Sequence, residues 1–521
     1  MITGSKIVKL AGYTYLVEKL GLSLPPLDLE LAVGDKASDE VKPYGSVKIK
    51  VLAKTRKVGS NEFEHLETAI QYQGIRLSYL VPIFDKLDTA LLTNFISEKP
   101  QAINRRCIWY LYEWLTDTRL ELQNSQSNYA PLLDERYYYT SSAGVKNPRT
   151  RIINNMIGNK QFCPIIRKPK EIIECAKKDL MGMAQFQLNN IHKSINPELL
   201  GRSVEYLYTK ETKSSTEIEK ENTSAEKMRK FYRVLKTSGA INLSERRLVD
   251  IQNEIVRSEK RDTGFRKEEI YVGETRRTWQ DSLEENIHFI GPKYEQVESM
   301  MTGLLDMHKA LLMDNTLPPM MHAALVSFGF VYIHPFSDGN GRIHRYLIHD
   351  VLKNRTTTDQ DFIIPVSATI LQRSKEYDKV LESISKPIMA LINYDIDEAD
   401  HSISINNDIS YMYRYPDLTP HVLFLYNMME ASISEDLIQE VLYIVKYDTV
   451  KTAIEERYDI PNKELNLLIQ LALQNNGKIS KRKRERFFGW IGDEELKSLE
   501  AIICDLLEGL VSDTTTGDQL T

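Results

Sequence analysis

Apolar positions along this chain of 521 residues change their spacing from block to block. The densest block follows Pro318 and Pro319, where Met320, Ala323, Ala324, Leu325, Phe328, Val331, Tyr332 and Ile333 leave little room for a polar face. A surface helix keeps one side polar, so this run predicts a buried core helix that delivers His334. Past a glycine-rich turn, Ile343, Tyr346, Leu347, Val351 and Leu352 recur at helical spacing and predict a second packed helix. Upstream, residues 270–273 and 287–292 are short β-branched or aromatic runs that stop at glycine or proline. They predict a β-hairpin joined by a long loop from Glu274 to Asn286.

The flanks carry weaker patterns. Residues 44–54 alternate in part like a strand, and residues 62–98 and 100–116 read as mostly helical, the latter with Trp109 and Trp114. The polar stretch from Asn124 to Arg149, with Tyr137, Tyr138 and Tyr139, reads as a long loop. Helical patterns resume after about Asn393, over 421–432 and 434–458. Leu465, Leu467, Leu468, Leu471 and Leu473 then mark a buried helix, and another is expected over 493–510. Residues 512–521 read as a frayed end.

Composition narrows the class only a little. A net charge of −6 gives no footing for a general nucleic-acid or membrane partner. No stretch approaches the length of a membrane span, and the first residues do not read as a signal peptide. Cys107, Cys163, Cys175 and Cys504 have neither metal nor disulfide spacing, so the expected setting is a reducing cytoplasm and no zinc site is indicated.

The chemistry concentrates in residues 334–345, His-Pro-Phe-Ser-Asp-Gly-Asn-Gly-Arg-Ile-His-Arg. Each part has a task if the ligand is a nucleoside triphosphate with its metal. His334 can take a proton, Asp338 can hold Mg²⁺, and the glycines bare backbone N–H groups for phosphate oxygens. The turn falls at a helix N-terminus, where the dipole favours an anion. Arg342 and Arg345, three residues apart, share a helix face and can both reach a polyphosphate. Neither the Walker loop nor the Rossmann fingerprint fits, because the glycines follow a helix and no Gly-Lys-Ser/Thr is present. A bare surface turn would account for Asp-Gly and Asn-Gly, but it does not require a histidine, an aromatic and two arginines at fixed offsets.

Residues 334–345 resemble the signature of Fic domain proteins, His-x-Phe-x-Asp/Glu-Gly-Asn-Gly-Arg-x-x-Arg, with every fixed position present. The resemblance extends more weakly from about residue 200 to about residue 490. It implies a mainly α fold, with a Fic-type helical core and a small β-hairpin flap. A mixed N-terminal region and a helical C-terminal region, winged-helix-like or helix-turn-helix-like, would flank this core. The division expected is a scaffold or target-recognition region over 1–190, a catalytic domain over 191–392 and a C-terminal helical domain over 393–521. Family members typically move AMP from ATP to a Ser, Thr or Tyr hydroxyl of a target protein and release pyrophosphate.

Carried over by position, the resemblance makes His334 the general base and Phe336 the anchor of the loop. Asp338 would hold Mg²⁺, and the backbone of Gly339, Asn340 and Gly341 would form an anion hole. Arg342 would serve the β-phosphate region and Arg345 the γ-phosphate. Gly341 favours AMP transfer, since members that phosphorylate carry a bulkier, charged residue nearby. Val272, Gly273 and Ile290 would be flap residues that align a target by strand addition, and Tyr377 would border the adenine.

Residues 211–222 resemble the inhibitory motif Ser/Thr-x-x-x-Glu-Gly/Asn of many Fic proteins, with Ser215 and Glu219 one helical turn apart. That likeness implies an inhibitory helix over about 205–222 in which Glu219 pairs with Arg345 and keeps the γ-phosphate from seating. Lys220 departs from the family's Gly or Asn, which puts the strength of inhibition in question.

Other readings stay open: another nucleotide, phosphorylation or phosphocholine transfer, removal of AMP from targets, or an inactive regulatory protein. The basic run Lys478-Ile479-Ser480-Lys481-Arg482-Lys483-Arg484-Glu485-Arg486 leaves a DNA-binding regulator as a further alternative, against which the net acidity argues. A homodimer is compatible with all of them.

Overall fold

The computed structural model describes residues 6–515 except 46, 193–196, 221–223, 278–282, 357–361 and 398–401. The fold is mainly α, with 21 α-helices and four small sheets among the described residues. It divides into two compact units. One comprises Met1–Ala176, Gly239–Arg355 and Lys375–Leu425; the other comprises Lys177–Ser238, Thr356–Ser374 and Tyr426–Thr521.

The first unit opens with a four-stranded mixed sheet in the spatial order Ile7–Leu10, Leu29–Gly34, Val47–Leu52, Glu40–Tyr44. The single strand expected over 44–54 is therefore half of an antiparallel pair, in which Tyr44 faces Val47. Four helices follow, Glu62–Tyr72, Leu77–Lys86, Thr89–Glu98 and Ile103–Thr116. Asn61 and Asp88 cap the first and third by accepting the backbone N–H of Glu64 and Leu91. Their core centres on Trp109, which is fully buried and donates to Glu113 over 2.8 Å. Arg149 lies over the Trp109 ring at 4.9 Å and ion-pairs with Glu113. That contact ties down the stretch read as a loop, which in fact contributes Ala130–Pro131 and Val145–Asn147 to a three-stranded sheet with Ile152–Asn154. Strands of two and three residues are too short to show alternation, which is why the sequence conceals them.

Three helices of this unit position the chemistry: Tyr294–Leu312, Pro319–Ile333 and Asn340–Arg355. In the middle one every residue except Pro319 and Val331 is buried, as its apolar run predicts. The third is buried on more sides than a stripe would require, since His344, His349 and Asp350 are inside as well.

Several of the polar groups that accompany this burial form one chain of hydrogen bonds. Arg355 Nη1 lies 3.2 Å from His322 Nδ1, and His322 Nε2 lies 3.0 Å from His308 Nδ1. Arginine only donates, so His322 accepts at Nδ1 and gives its own proton to His308. Arg355 also donates to the Asp314 and Leu317 carbonyls, at 2.9 and 2.8 Å, and to that of Leu311.

The second unit contains the helices Leu180–His192, Pro197–Ile218, Ala225–Lys236, Val366–Gln372 and Ile438–Glu455. Buried Glu211 accepts the Ser367 N–H at 2.8 Å and its hydroxyl, holding the N-terminus of Val366–Gln372. The helical stretch expected from Ser434 begins instead inside a π-helical turn, Ser432–Leu437, which runs directly into Ile438–Glu455. Asn462–Leu473, Lys481–Phe487 and Asp493–Thr515 close around a core of their own that includes Leu465, Phe488 and Leu499. Of the expected frayed end, residues 516–521 lie outside the described residues.

Burial makes the pH dependence of stability predictable. It holds His308 down at about 4, helped by the charges of Lys309 and Arg355, and holds His421 down at about 3. His322 is likewise pushed well below its ordinary value by burial. The unfolded chain takes up protons near pH 6.5 that the folded chain refuses, so stability is full above that pH and is lost as pH falls towards 4. Each histidine contributes a slope of about 1.4 kcal/mol per pH unit in that window. Urea unfolding followed by circular dichroism should show stability declining steadily from pH 7 to pH 5, whereas a flat profile would refute the neutral buried pairs.

Candidate active site

His334 ends the core helix in the left-handed region, with φ 51° and ψ 60°. Its N–H still closes the last helical turn on Phe330 O at 2.9 Å. The Nδ1 atom lies 3.1 Å from Val331 O. A carbonyl can only accept, so Nδ1 carries the proton and Nε2 keeps its lone pair. Half-buried and in this tautomer, His334 is set to accept a proton.

The residues after it fold back on themselves through one amide. Asn340 Oδ1 accepts the Phe336 N–H at 3.0 Å, and Asn340 Nδ2 donates to Phe336 O at 2.7 Å. Phe336 is fully buried against Phe265 and Phe330, so the loop is anchored at both the ring and the backbone. Gly339 has φ +87°, and a Cβ there would lie 2.9 Å from Val256. The first helical bond runs from Ile343 N to Gly339 O, which leaves Asn340, Gly341 and Arg342 in the opening turn. Backbone N–H groups of an opening turn have no acceptor within the helix and favour an anion.

Asp338 Oδ1 accepts the Gly339 N–H at 2.6 Å and lies 3.3 Å from Arg342 Nη2. About a third of the Asp338 side chain (31%) remains exposed, so the carboxylate can still reach a cation. Arg342 is buried and also donates to Ile255 O at 2.7 Å. Arg345 is 1% exposed on the same helix.

A clamp absent from the sequence reading holds this loop from outside. Fully buried Gln252 donates through Nε2 to Lys260 O, Asp262 Oδ2 and Asp338 O, at 2.8, 3.1 and 3.3 Å. Asp262 in turn accepts the Ser337 N–H at 2.9 Å and its hydroxyl at 2.9 to 3.0 Å. Arg266, 7% exposed, donates to the carbonyls of His334 (2.8 Å), Glu268 (2.8 Å) and Pro292 (2.6 Å). Its own N–H reaches Pro335 O at 2.8 Å. Burial pulls the Arg266 guanidinium down to about 10, against the opposing effect of Glu269. An open cavity of about 700 Å³ lies along this clamp, lined in part by Asp262, Phe265, Arg266 and Ser337.

The hairpin is longer than expected. Its strands are Tyr271–Arg277 and Leu283–Ile290, paired antiparallel, so most of the stretch expected as loop is strand and only 278–282 falls outside the described residues. Glutamates and arginines along it hide the strand signal. Val272 (42% exposed) and Gly273 face solvent, whereas Ile290 is fully buried and its carbonyl accepts from Tyr413 Oη at 2.7 Å. Phe289 packs beside His334, with ring centres 6.1 Å apart.

Tyr377 is packed in the core, stacked near His344 and Phe424 with ring centres at 6.2 and 5.8 Å. In the second unit, Ser215 is buried near the end of Pro197–Ile218, and Glu219 is exposed in the turn that follows. Lys220 closes that turn with φ 55°, the left-handed cap that suits Gly or Asn. Asn222 lies outside the described residues.

Residues 242–352 match the Fic/DOC family. This chain carries a Fic domain. The match covers the clamp, the hairpin, the first two helices of the site and most of the third, so the domain begins well before the motif. Solved Fic proteins align with the chain only loosely. A Fic family protein from Desulfovibrio desulfuricans G20 shares 16% identity, with 62% of this chain and 85% of that one covered at a TM-score of 0.34. A Fic domain-containing signaling protein from Bacteroides thetaiotaomicron VPI-5482 shares 18%, with 52% and 97% covered at a TM-score of 0.33. The Fic domain supports a transferase, in a family that typically moves nucleotide-derived groups onto proteins.

The geometry at Arg266 and at Lys220 gives two testable expectations. Arg266→Ala should leave the His334, Glu268 and Pro292 carbonyls buried without their donor, at about 1–3 kcal/mol each. A loss of stability below about 1 kcal/mol in urea unfolding would show that water replaces the guanidinium. Lys220→Gly should stabilise the chain by about 1 kcal/mol by removing a Cβ from the left-handed cap. An unchanged or lower unfolding midpoint would rule out strain at that turn.

Proposed function

We propose that this chain transfers AMP from ATP, with Mg²⁺, to a Ser, Thr or Tyr hydroxyl of a target protein, itself included, and releases pyrophosphate. The observation that carries the reading is the Val331 carbonyl against His334 Nδ1, which keeps Nε2 an acceptor at the head of a loop ending on a helix N-terminus. The target oxygen attacks the α-phosphorus, its proton passes to Nε2, and the bond from that phosphorus to the bridging oxygen breaks with its electrons leaving on pyrophosphate. The opening turn offers the N–H groups of Asn340 and Gly341 to charge growing on the phosphate oxygens, whereas the Gly339 N–H is taken by Asp338 Oδ1 at 2.6 Å. Arg342 and Arg345 add guanidinium charge on the same helix.

Asp338 suits Mg²⁺, which is usually held by one or two carboxylates together with substrate phosphates. Bound there, the cation would supply charge neutralisation between phosphates. In the same proposal Glu219 competes with the γ-phosphate for Arg345, because both are anions that fit one guanidinium. The basal enzyme is then held low, and its family likeness at Ser215 and Glu219 supports this regulation.

Incubation with α-labelled ATP and Mg²⁺ tests both halves. Glu219→Gly should raise label on protein by about tenfold or more, the equivalent of one charge-assisted hydrogen bond. Adding His334→Ala should lower it by about a hundredfold or more. Label that persists without His334 refutes the catalytic assignment; label unchanged in Glu219→Gly refutes the inhibition alone.

A further inference from the structure

The C-terminal helices carry a surface that the proposed reaction does not use. Residues 478–486 place six cations in nine positions, Lys478, Lys481, Arg482, Lys483, Arg484 and Arg486. Lys481 and Arg482 are exposed on the helix Lys481–Phe487, with Lys483 partly so. Among the described residues only Arg484 of this run is in an ion pair, with Asp493. Two exposed rings follow these cations in the chain, Phe487 at 38% and Trp490 at 55%. The Arg486 guanidinium lies over the Phe487 ring at 5.0 Å.

The three-helix arrangement invites comparison with modules that read duplex DNA, but its charges oppose that use. Such modules press the first turn of their last helix against bases and phosphates. Here that turn is Asp493, Glu494 and Glu495, all exposed and acidic. A membrane surface fits no better. Interfacial helices insert a continuous apolar face, whereas Phe488 and Ile491 are spent on the module's own core and leave two isolated rings. Cations that follow a phosphate backbone, next to flat rings on which bases stack, are the pairing that holds unpaired strands.

We propose that Lys481, Arg482, Lys483, Phe487 and Trp490 form a binding site for single-stranded nucleic acid. The cations take the phosphates and the two rings stack on successive bases, without sequence preference. The site is independent of the AMP-transfer reading, since it shares no residue with the Fic domain.

Fluorescence anisotropy of the full chain with labelled oligouridylate and oligodeoxythymidylate of about 20 nucleotides tests it. Binding to one or both is expected, the two arms separating RNA from DNA. The double variant Phe487→Ala/Trp490→Ala should bind about tenfold more weakly, and Trp490→Phe should keep most of the affinity. Lys481→Ala/Arg482→Ala/Lys483→Ala should lower the slope of log affinity against log salt by about two. All five residues are at the surface, so unchanged circular dichroism will exclude misfolding. The proposal is overturned if the aromatic variant binds as tightly as the parent, if duplex of equal length competes better than single strand, or if phosphatidylserine vesicles bind and oligonucleotides do not.

Discussion

One amide side chain closes the functional loop, and the rest of the site depends on that closure. Asn340 both accepts from and donates to the Phe336 backbone, so a single residue fixes the loop from Phe336 to the helix start. With the loop shut, Gly339 takes its left-handed turn and Asp338 is drawn against Gly339 N–H and Arg342. Broken, each of these groups would have to find water or another partner, and a half-satisfied buried network is worse than none. The buried environment therefore turns a set of modest hydrogen bonds into one geometry.

The same economy of buried polar groups recurs throughout the first unit. Arg355 spends its donors on three carbonyls and one imidazole, and Arg266 spends its donors on three carbonyls. A lysine could replace neither guanidinium in kind, since only a planar fork reaches several acceptors at once. Histidines close to this network stay neutral because charge would be stranded there, and this makes acid the natural enemy of the fold.

What could be read from the chain depended on whether the relevant residues were neighbours in sequence. The motif from His334 to Arg345 is contiguous, and the helix before it announces itself by having no polar face, so both were legible. Gln252, Asp262 and Arg266 were not, because many of their partners are backbone atoms, up to 86 residues away, that carry no side-chain signature. The hairpin was seen but shortened, since Glu284, Glu285, Arg276 and Arg277 sit where a buried strand would show apolar alternation. Lys220 was noticed as a departure, yet only its left-handed backbone explains why Gly or Asn is the residue favoured at that turn.

Arg266 has a mechanical consequence. One guanidinium grips the carbonyl of His334 and the carbonyl of Pro292, where the hairpin ends. The base of the flap and the imidazole's own backbone thus share a rigid strut, and neither can tilt without pulling on the other. In the proposed reaction, a target laid along the hairpin would press on the same frame that carries His334, so the alignment of its hydroxyl and the aim of the imidazole would be set by one lever rather than two.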